Sequence, residues 1–187
     1  MADSELTKFQ KAKILRVFNI LYDSNKDGYI EEKDFTLAIE KVCLILEWPE
    51  NSEKHRETEE ALGLIWTGLK TYADVNADGR VSKDEWICMW EDCIRSNTVP
   101  EWQEKFMEFM FNVNDKSGDK EIDAKEYETY YSNYISVEEC RMAFHKMSGG
   151  ENISRSEFRK LWKEYFFSDD REAKGNYLFG VPDFLAE

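Results

Sequence analysis

Asp74-Val75-Asn76-Ala77-Asp78-Gly79-Arg80-Val81-Ser82-Lys83-Asp84-Glu85 decides how the rest of the chain is read. Counted from Asp74, oxygen-bearing side chains stand at positions 1, 3 and 5, glycine at 6, an aliphatic residue at 8 and glutamate at 12. A hard divalent cation such as calcium takes six to eight oxygen ligands at roughly 2.3–2.6 Å, and a twelve-residue loop can surround one. In this reading Asp74, Asn76 and Asp78 offer side-chain oxygens and Arg80 its backbone carbonyl. Ser82 holds a water or ligates directly, and Glu85 closes the site with both carboxylate oxygens. Gly79 serves the sharp turn, where positive φ disfavours a Cβ. A turn that is merely rich in Asp and Asn needs no aliphatic residue at 8, no acid at 12 and no apolar helix on each side. All three are present.

The pattern repeats. Ile30, Val81, Ile122 and Ile153 are each followed five residues later by an aromatic, namely Phe35, Trp86, Tyr127 and Phe158. From each aromatic an apolar stripe continues at +3, +4 and +7, the spacing of one helix face. Upstream stripes such as Leu62, Ile65, Trp66, Leu69 and Trp102, Phe106, Phe109, Met110, Val113 predict the entering helices. The expected fold is all-α: four helix–loop–helix units in two pairs, compact, with a C-terminal apolar tail. The pairs are expected over 1–97 (loops 23–34 and 74–85) and 98–167 (loops 115–126 and 146–157), with a tail over 168–187 packing on the core or in a cleft. Pro49 ends a helix, and Thr98…Glu101 and Ser136…Glu139 both have the capping-box spacing. Paired loops should exchange backbone hydrogen bonds around position 8, bringing Ile30 to Val81 and loop four to loop three.

The loops differ in completeness. The first places Asp23, Asn25 and Asp27 at 1, 3 and 5, Gly28 at 6, Tyr29 at 7 for its carbonyl, and Asp34 at 12. Aspartate is one methylene shorter than glutamate, so this site is expected to tolerate magnesium, which demands octahedral geometry. The third has Asp115, Ser117, Asp119, Glu121 and Glu126, but Lys120 occupies the glycine position, at a cost of roughly 1 kcal/mol for positive φ. That is small against the pull of its carboxylates on a dication, and binding is expected. The fourth begins with Lys146, has Gly150 at position 5 and keeps only Glu157 as a strong ligand. It is expected not to bind.

Composition narrows the class. The chain has 187 residues, a formal charge of −14 and 14% aromatics, so its acidity belongs to a folded chain. That charge argues against nucleic acid and suits a protein that gathers cations; three calcium ions would bring −14 to −8. Neither an apolar leader nor a prenylation box (Phe184-Leu185-Ala186-Glu187) is read, and no run approaches the roughly 18 apolar residues of a membrane span. Cys43, Cys88, Cys93 and Cys140 lack CxxC spacing and read as reduced, mostly buried thiols, hence a cytoplasmic protein. Tyr177, Leu178, Phe179, Val181, Phe184 and Leu185 give the tail more apolar bulk than a solvated segment needs. It completes a core or plugs an apolar cleft.

These loops identify a member of the EF-hand superfamily. The DxNxDGxIxxxD first loop, regular second loop, third loop without its glycine and degenerate fourth resemble the sarcoplasmic calcium-binding proteins and, more closely, the neuronal calexcitins. The resemblance spans essentially the whole chain. It implies a monomeric cytosolic calcium-signalling protein that changes conformation with calcium and acts on a protein target such as an ion channel, with reversible membrane association. The alternative is a calcium/magnesium buffer: promiscuous sensor grooves are Met-rich, and this chain has 6 Met beside 12 Phe, 9 Tyr and 6 Trp. A third class, nucleotide hydrolase, lacks the GxxxxGK[ST] phosphate loop, so no enzymatic activity is expected. The basic run Arg155, Arg159, Lys160, Lys163 on the last helix could face an acidic partner or lipid, but interleaved Glu157 and Glu164 fit a solvated face.

Overall fold

A computed structural model of the chain describes residues 6–182. Phe184 and Leu185 of the tail, and the first five residues, lie outside the described residues. The fold is all-α. Helix α1 (Lys8–Val17) passes into a π-helical turn, Phe18–Tyr22, and then the first loop; β1 (Tyr29–Glu31) and α2 (Glu32–Leu46) follow. Next come α3 (Glu53–Ala73), β2 (Arg80–Ser82), α4 (Lys83–Ser96), α5 (Glu101–Asn114), β3 (Glu121–Ile122) and α6 (Ala124–Tyr131). Helix α7 (Val137–Ser148), β4 (Ile153–Ser154), α8 (Arg155–Phe167) and a 3-10 turn (Lys174–Tyr177) complete it. The strands are two or three residues long and serve only to join loops in pairs: Ile30 stands opposite Val81, and Ile122 opposite Ile153.

Two compact units form. One is built on Ile14–Phe109, the other on Thr7–Lys13 and Met110 onward. In the first, Trp86, Trp90 and Tyr22 are buried, with Tyr22–Trp86 and Tyr22–Phe106 ring centroids both 4.9 Å apart. The Trp86 indole N–H donates to the Ile14 carbonyl at 2.9 Å, so the entering helix of loop one is tied to the exit helix of loop two. Gly68 explains itself in the same core: a Cβ there would lie 2.5 Å from that of Trp102. Not every helix start follows the sequence pattern. Ser136 caps α7 by accepting from Glu139 N–H at 3.1 Å, but α5 starts only at Glu101, and the Thr98 hydroxyl turns back to the Ser96 carbonyl. Pro100 takes the capping place because its missing N–H costs nothing at a helix start, and its carbonyl accepts from Gln103 and Glu104.

In the second unit the tail is part of the core. Leu178 and Phe179 are buried, and Phe179 stands edge-on to Tyr165 at 4.7 Å and to Trp162 at 5.6 Å. The Tyr127 hydroxyl donates to the Leu178 carbonyl at 3.1 Å. Gly175 lies so close to the backbone of α8 that a Cβ would strike the Leu161 carbonyl and come within 2.6 Å of Glu164 Cβ. The N-terminal segment is anchored here too. Lys13 is fully buried, and its ammonium donates to the Ser168 carbonyl at 2.6 Å and to Asn176 Oδ1 at 3.2 Å.

Burial lowers the Lys13 ammonium from its ordinary value to about 8, against the opposing pull of Asp169, Glu164 and Asp170. Between that value and the unfolded one the unfolded chain binds more protons, so stability rises with pH. The buried thiols of Cys93 and Cys140, raised to about 11, act the other way over this range. The Lys13 contribution is therefore read as a difference: between pH 7 and 9.5 the stability of the native chain should gain about 2 kcal/mol relative to Lys13→Met in urea titrations.

Candidate metal centres

Twelve residues become a cradle because three loops repeat one hydrogen-bond pattern. The position-6 N–H always donates to the position-1 carboxylate: Gly28 to Asp23, Gly79 to Asp74 and Lys120 to Asp115, each at 3.0 Å. Position 5 turns inward by accepting from the N–H of position 7, Tyr29 to Asp27 and Glu121 to Asp119 at 3.0 Å and Arg80 to Asp78 at 3.1 Å. Asn25 and Asn76 at position 3 each accept from the N–H of position 5, at 2.9 and 2.8 Å. In all three loops backbone N–H groups of the loop itself thus hold the carboxylates of positions 1 and 5.

Left-handed backbone is needed twice per loop, at positions 4 and 6. Lys26 and Gly28 have φ of 60° and 91°, Ala77 and Gly79 of 59° and 89°. In the third loop Gly118 takes position 4 at 77° and Lys120 takes position 6 at 73°. The expected strain at Lys120 is present. This loop has its glycine two residues earlier, where the other two carry lysine and alanine.

Position 12 has a double attachment. Asp34 accepts from the N–H groups of Asn25 at 3.1 Å and Glu31 at 2.9 Å. Glu85 accepts from Asn76 at 3.4 Å and Ser82 at 2.9 Å; Glu126 accepts from Ser117 at 2.7 Å and Asp123 at 3.0 Å. Each of the three is also the third residue of its exit helix and half of a capping box. The carboxyl environments differ. Burial pushes Asp34 up from its ordinary value, opposed by its backbone hydrogen bonds. At Glu85 burial is again the largest single influence and raises the carboxyl, but the hydrogen bonds from Ser82 and Asn76 together outweigh it and hold the carboxyl below its ordinary value.

In the third loop, carboxylate oxygens of Asp115, Asp119 and Glu126 all lie within 4.8 Å of one another. Three like charges so close repel, and a cation between them removes the repulsion. An all-oxygen donor set of this kind fits a hard cation such as calcium.

The fourth loop begins differently. Helix α7 runs through Ser148, so Lys146 and Ser148, counted as positions 1 and 3, are still helical and Gly149 ends the helix in the left-handed region. The Lys146 ammonium lies 6.0 Å from the centre of the Tyr177 ring. Its strand is intact, and Asn152 donates to the Glu121 carboxylate at 3.0 Å, so this segment braces the third loop. That contact was not legible in the spacing, because position 7 is read there only for its backbone carbonyl.

Residues 72–88 match the family described as EF hand. Along its length the chain is 31% identical over 189 residues to calexcitin-1 of Caenorhabditis elegans, covering 97% of this chain and 91% of that protein. It is 28% identical over 182 residues to sarcoplasmic calcium-binding proteins I, III and IV of Branchiostoma lanceolatum, covering 94% and 98%. A solved sarcoplasmic calcium-binding protein from amphioxus superposes with a TM-score of 0.78 at 26% identity, over 95% of this chain and all of the other.

Proposed function

Since this chain belongs to the calexcitin and sarcoplasmic calcium-binding protein family of EF-hand proteins and takes Ca2+ as its cofactor, we propose that it is a three-site calcium sensor rather than an enzyme. Asp23, Asn25, Asp27, the Tyr29 carbonyl and Asp34 would hold the first ion, with magnesium as its competitor. Asp74, Asn76, Asp78, the Arg80 carbonyl and Glu85 would hold the second. Asp115, Ser117, Asp119, Glu121 through its carbonyl, and Glu126 would hold the third.

One observation carries the sensor reading. The closing carboxylate of each loop is already bonded to the first turn of its exit helix, so the ion and the helix start compete for, or share, the same group. Moving that carboxylate toward an ion tilts the helix that bears it, and its apolar face follows. In this reading the two domains are the loop pairs of 1–97 and 98–167 with the tail of 168–187, and the downstream target is a protein such as an ion channel. The four cysteines are free, which suits a reducing cytoplasm.

The buffer reading draws on the aromatic core and the buried Leu178 and Phe179 of the tail. Tryptophan emission on adding calcium, with millimolar magnesium already present, separates the two. A clear further change supports the sensor, and a flat response supports the buffer. Within either reading Glu157→Gln should leave the number of bound calcium ions unchanged, as calorimetry would show.

A further inference from the structure

Outside the loops, the first unit carries a groove of about 770 Å³ between α2 and the start of α3. Its long wall is one face of α2, since Thr36, Ile39 and Cys43 recur at helical spacing, and Glu47 follows just past the helix end. That wall runs for about 16 Å, three turns of a helix. Its apolar surface is made by half-buried Ile39 and Trp48 with Leu44, which is 79% exposed. Glu40, Glu47, Glu50 and Glu59 surround it, and among the described residues no lysine or arginine lines it. Lys54 lies at one end, over the Trp48 ring at 6.0 Å.

We propose that this groove docks a cationic amphipathic helix of another protein, its apolar face on Leu44, Ile39 and Trp48 and its lysines or arginines among the four glutamates. An α-helical wall presents ridges into which a second helix packs, and an apolar strip flanked by one sign of charge selects the opposite sign on the partner. Anionic lipid and nucleic acid meet repulsion at the same rim. No residue of the twelve-residue loops lines the groove, so docking needs no bound ion; its long wall α2 is the exit helix of the first loop, through which calcium would alter the affinity. The inference goes beyond the sensor reading and fails or stands separately from it.

The test is fluorescence anisotropy of the full chain with a labelled helical peptide of about four turns, leucines on one face and lysines on the other. A peptide with glutamates in place of the lysines is the control. Binding should survive chelation of calcium, vanish with the control peptide and fall at least about tenfold in Leu44→Asp and in Glu40→Lys/Glu50→Lys. Both variants alter exposed groups, and circular dichroism verifies their folding. Glu60→Lys, an exposed acid outside the groove, should change it little. Equal loss in Glu60→Lys would mean that the peptide follows general acidity and would overturn the proposal, and so would an absence of binding to the calcium-free chain. So would concentration-dependent dimerisation abolished by Leu44→Asp, which would assign the groove to a second copy. The tryptophan response to calcium is read in the same samples, so failure of the sensor reading is seen independently of the peptide.

Discussion

Glu85→Gln should lower calcium affinity at the second loop by two to three orders of magnitude. Glutamine keeps the size of the side chain and can still accept from Ser82 N–H, so the helix start survives. What is lost is one negative charge against a dication about 2.4 Å away, worth about 3.5 kcal/mol even at the dielectric constant of water. That corresponds to a factor of roughly a few hundred. Calorimetry on the metal-stripped variant should show one site fewer in the micromolar range. Three sites with affinities matching the parent chain would refute the ligand role. Glu85→Asp is the informative companion, because it recreates the shorter closure of the first loop and should raise the relative effectiveness of magnesium there.

Phe179→Ala should destabilise the protein by about 3–5 kcal/mol, the usual cost of emptying a site that a phenyl ring fills. Phe179 has no exposed surface and touches the rings of Tyr131, Trp162, Tyr165 and Phe166. A tail that merely covered the surface would lose well under 1 kcal/mol. Gly175→Ala tests the same docking without removing apolar surface. Its Cβ meets α8 backbone, which cannot rotate away, so the 3-10 turn must lift and the hydrogen bond from Gly175 N–H to Glu164, 2.9 Å long, must go. Urea denaturation measures both variants.

Much of this was legible because a calcium loop writes its chemistry at fixed positions. Asp74, Asn76, Asp78 and Glu85 are recognisable by spacing alone, and so is the departure of the segment beginning at Lys146 from the ligand pattern. The pairing of Ile30 with Val81 followed from the repeat. Other features depended on what the periodicity cannot register. A π-helical turn over Phe18–Tyr22 keeps the same apolar residues as an α-turn and only widens the coil by one residue. Thr98 had capping spacing, but Pro100 could begin a helix without a side-chain cap. Lys120 drew attention as a missing glycine, whereas Gly118 two residues before it relieves the other left-handed position. The anchoring of Lys13 among carbonyls of α8 and the tail joins residues more than 150 positions apart, and a lone lysine in a helical stretch gives no sign of it.

The account rests on three loops closing around calcium while the fourth stays helical. A calorimetric titration of metal-stripped protein with calcium tests that directly. Three bound ions are predicted, and the same three in Glu157→Gln. Four ions, or loss of one on changing Glu157, would show that the segment from Lys146 opens into a site. Two would mean that positive φ at Lys120 or the short Asp34 defeats the loop that carries it.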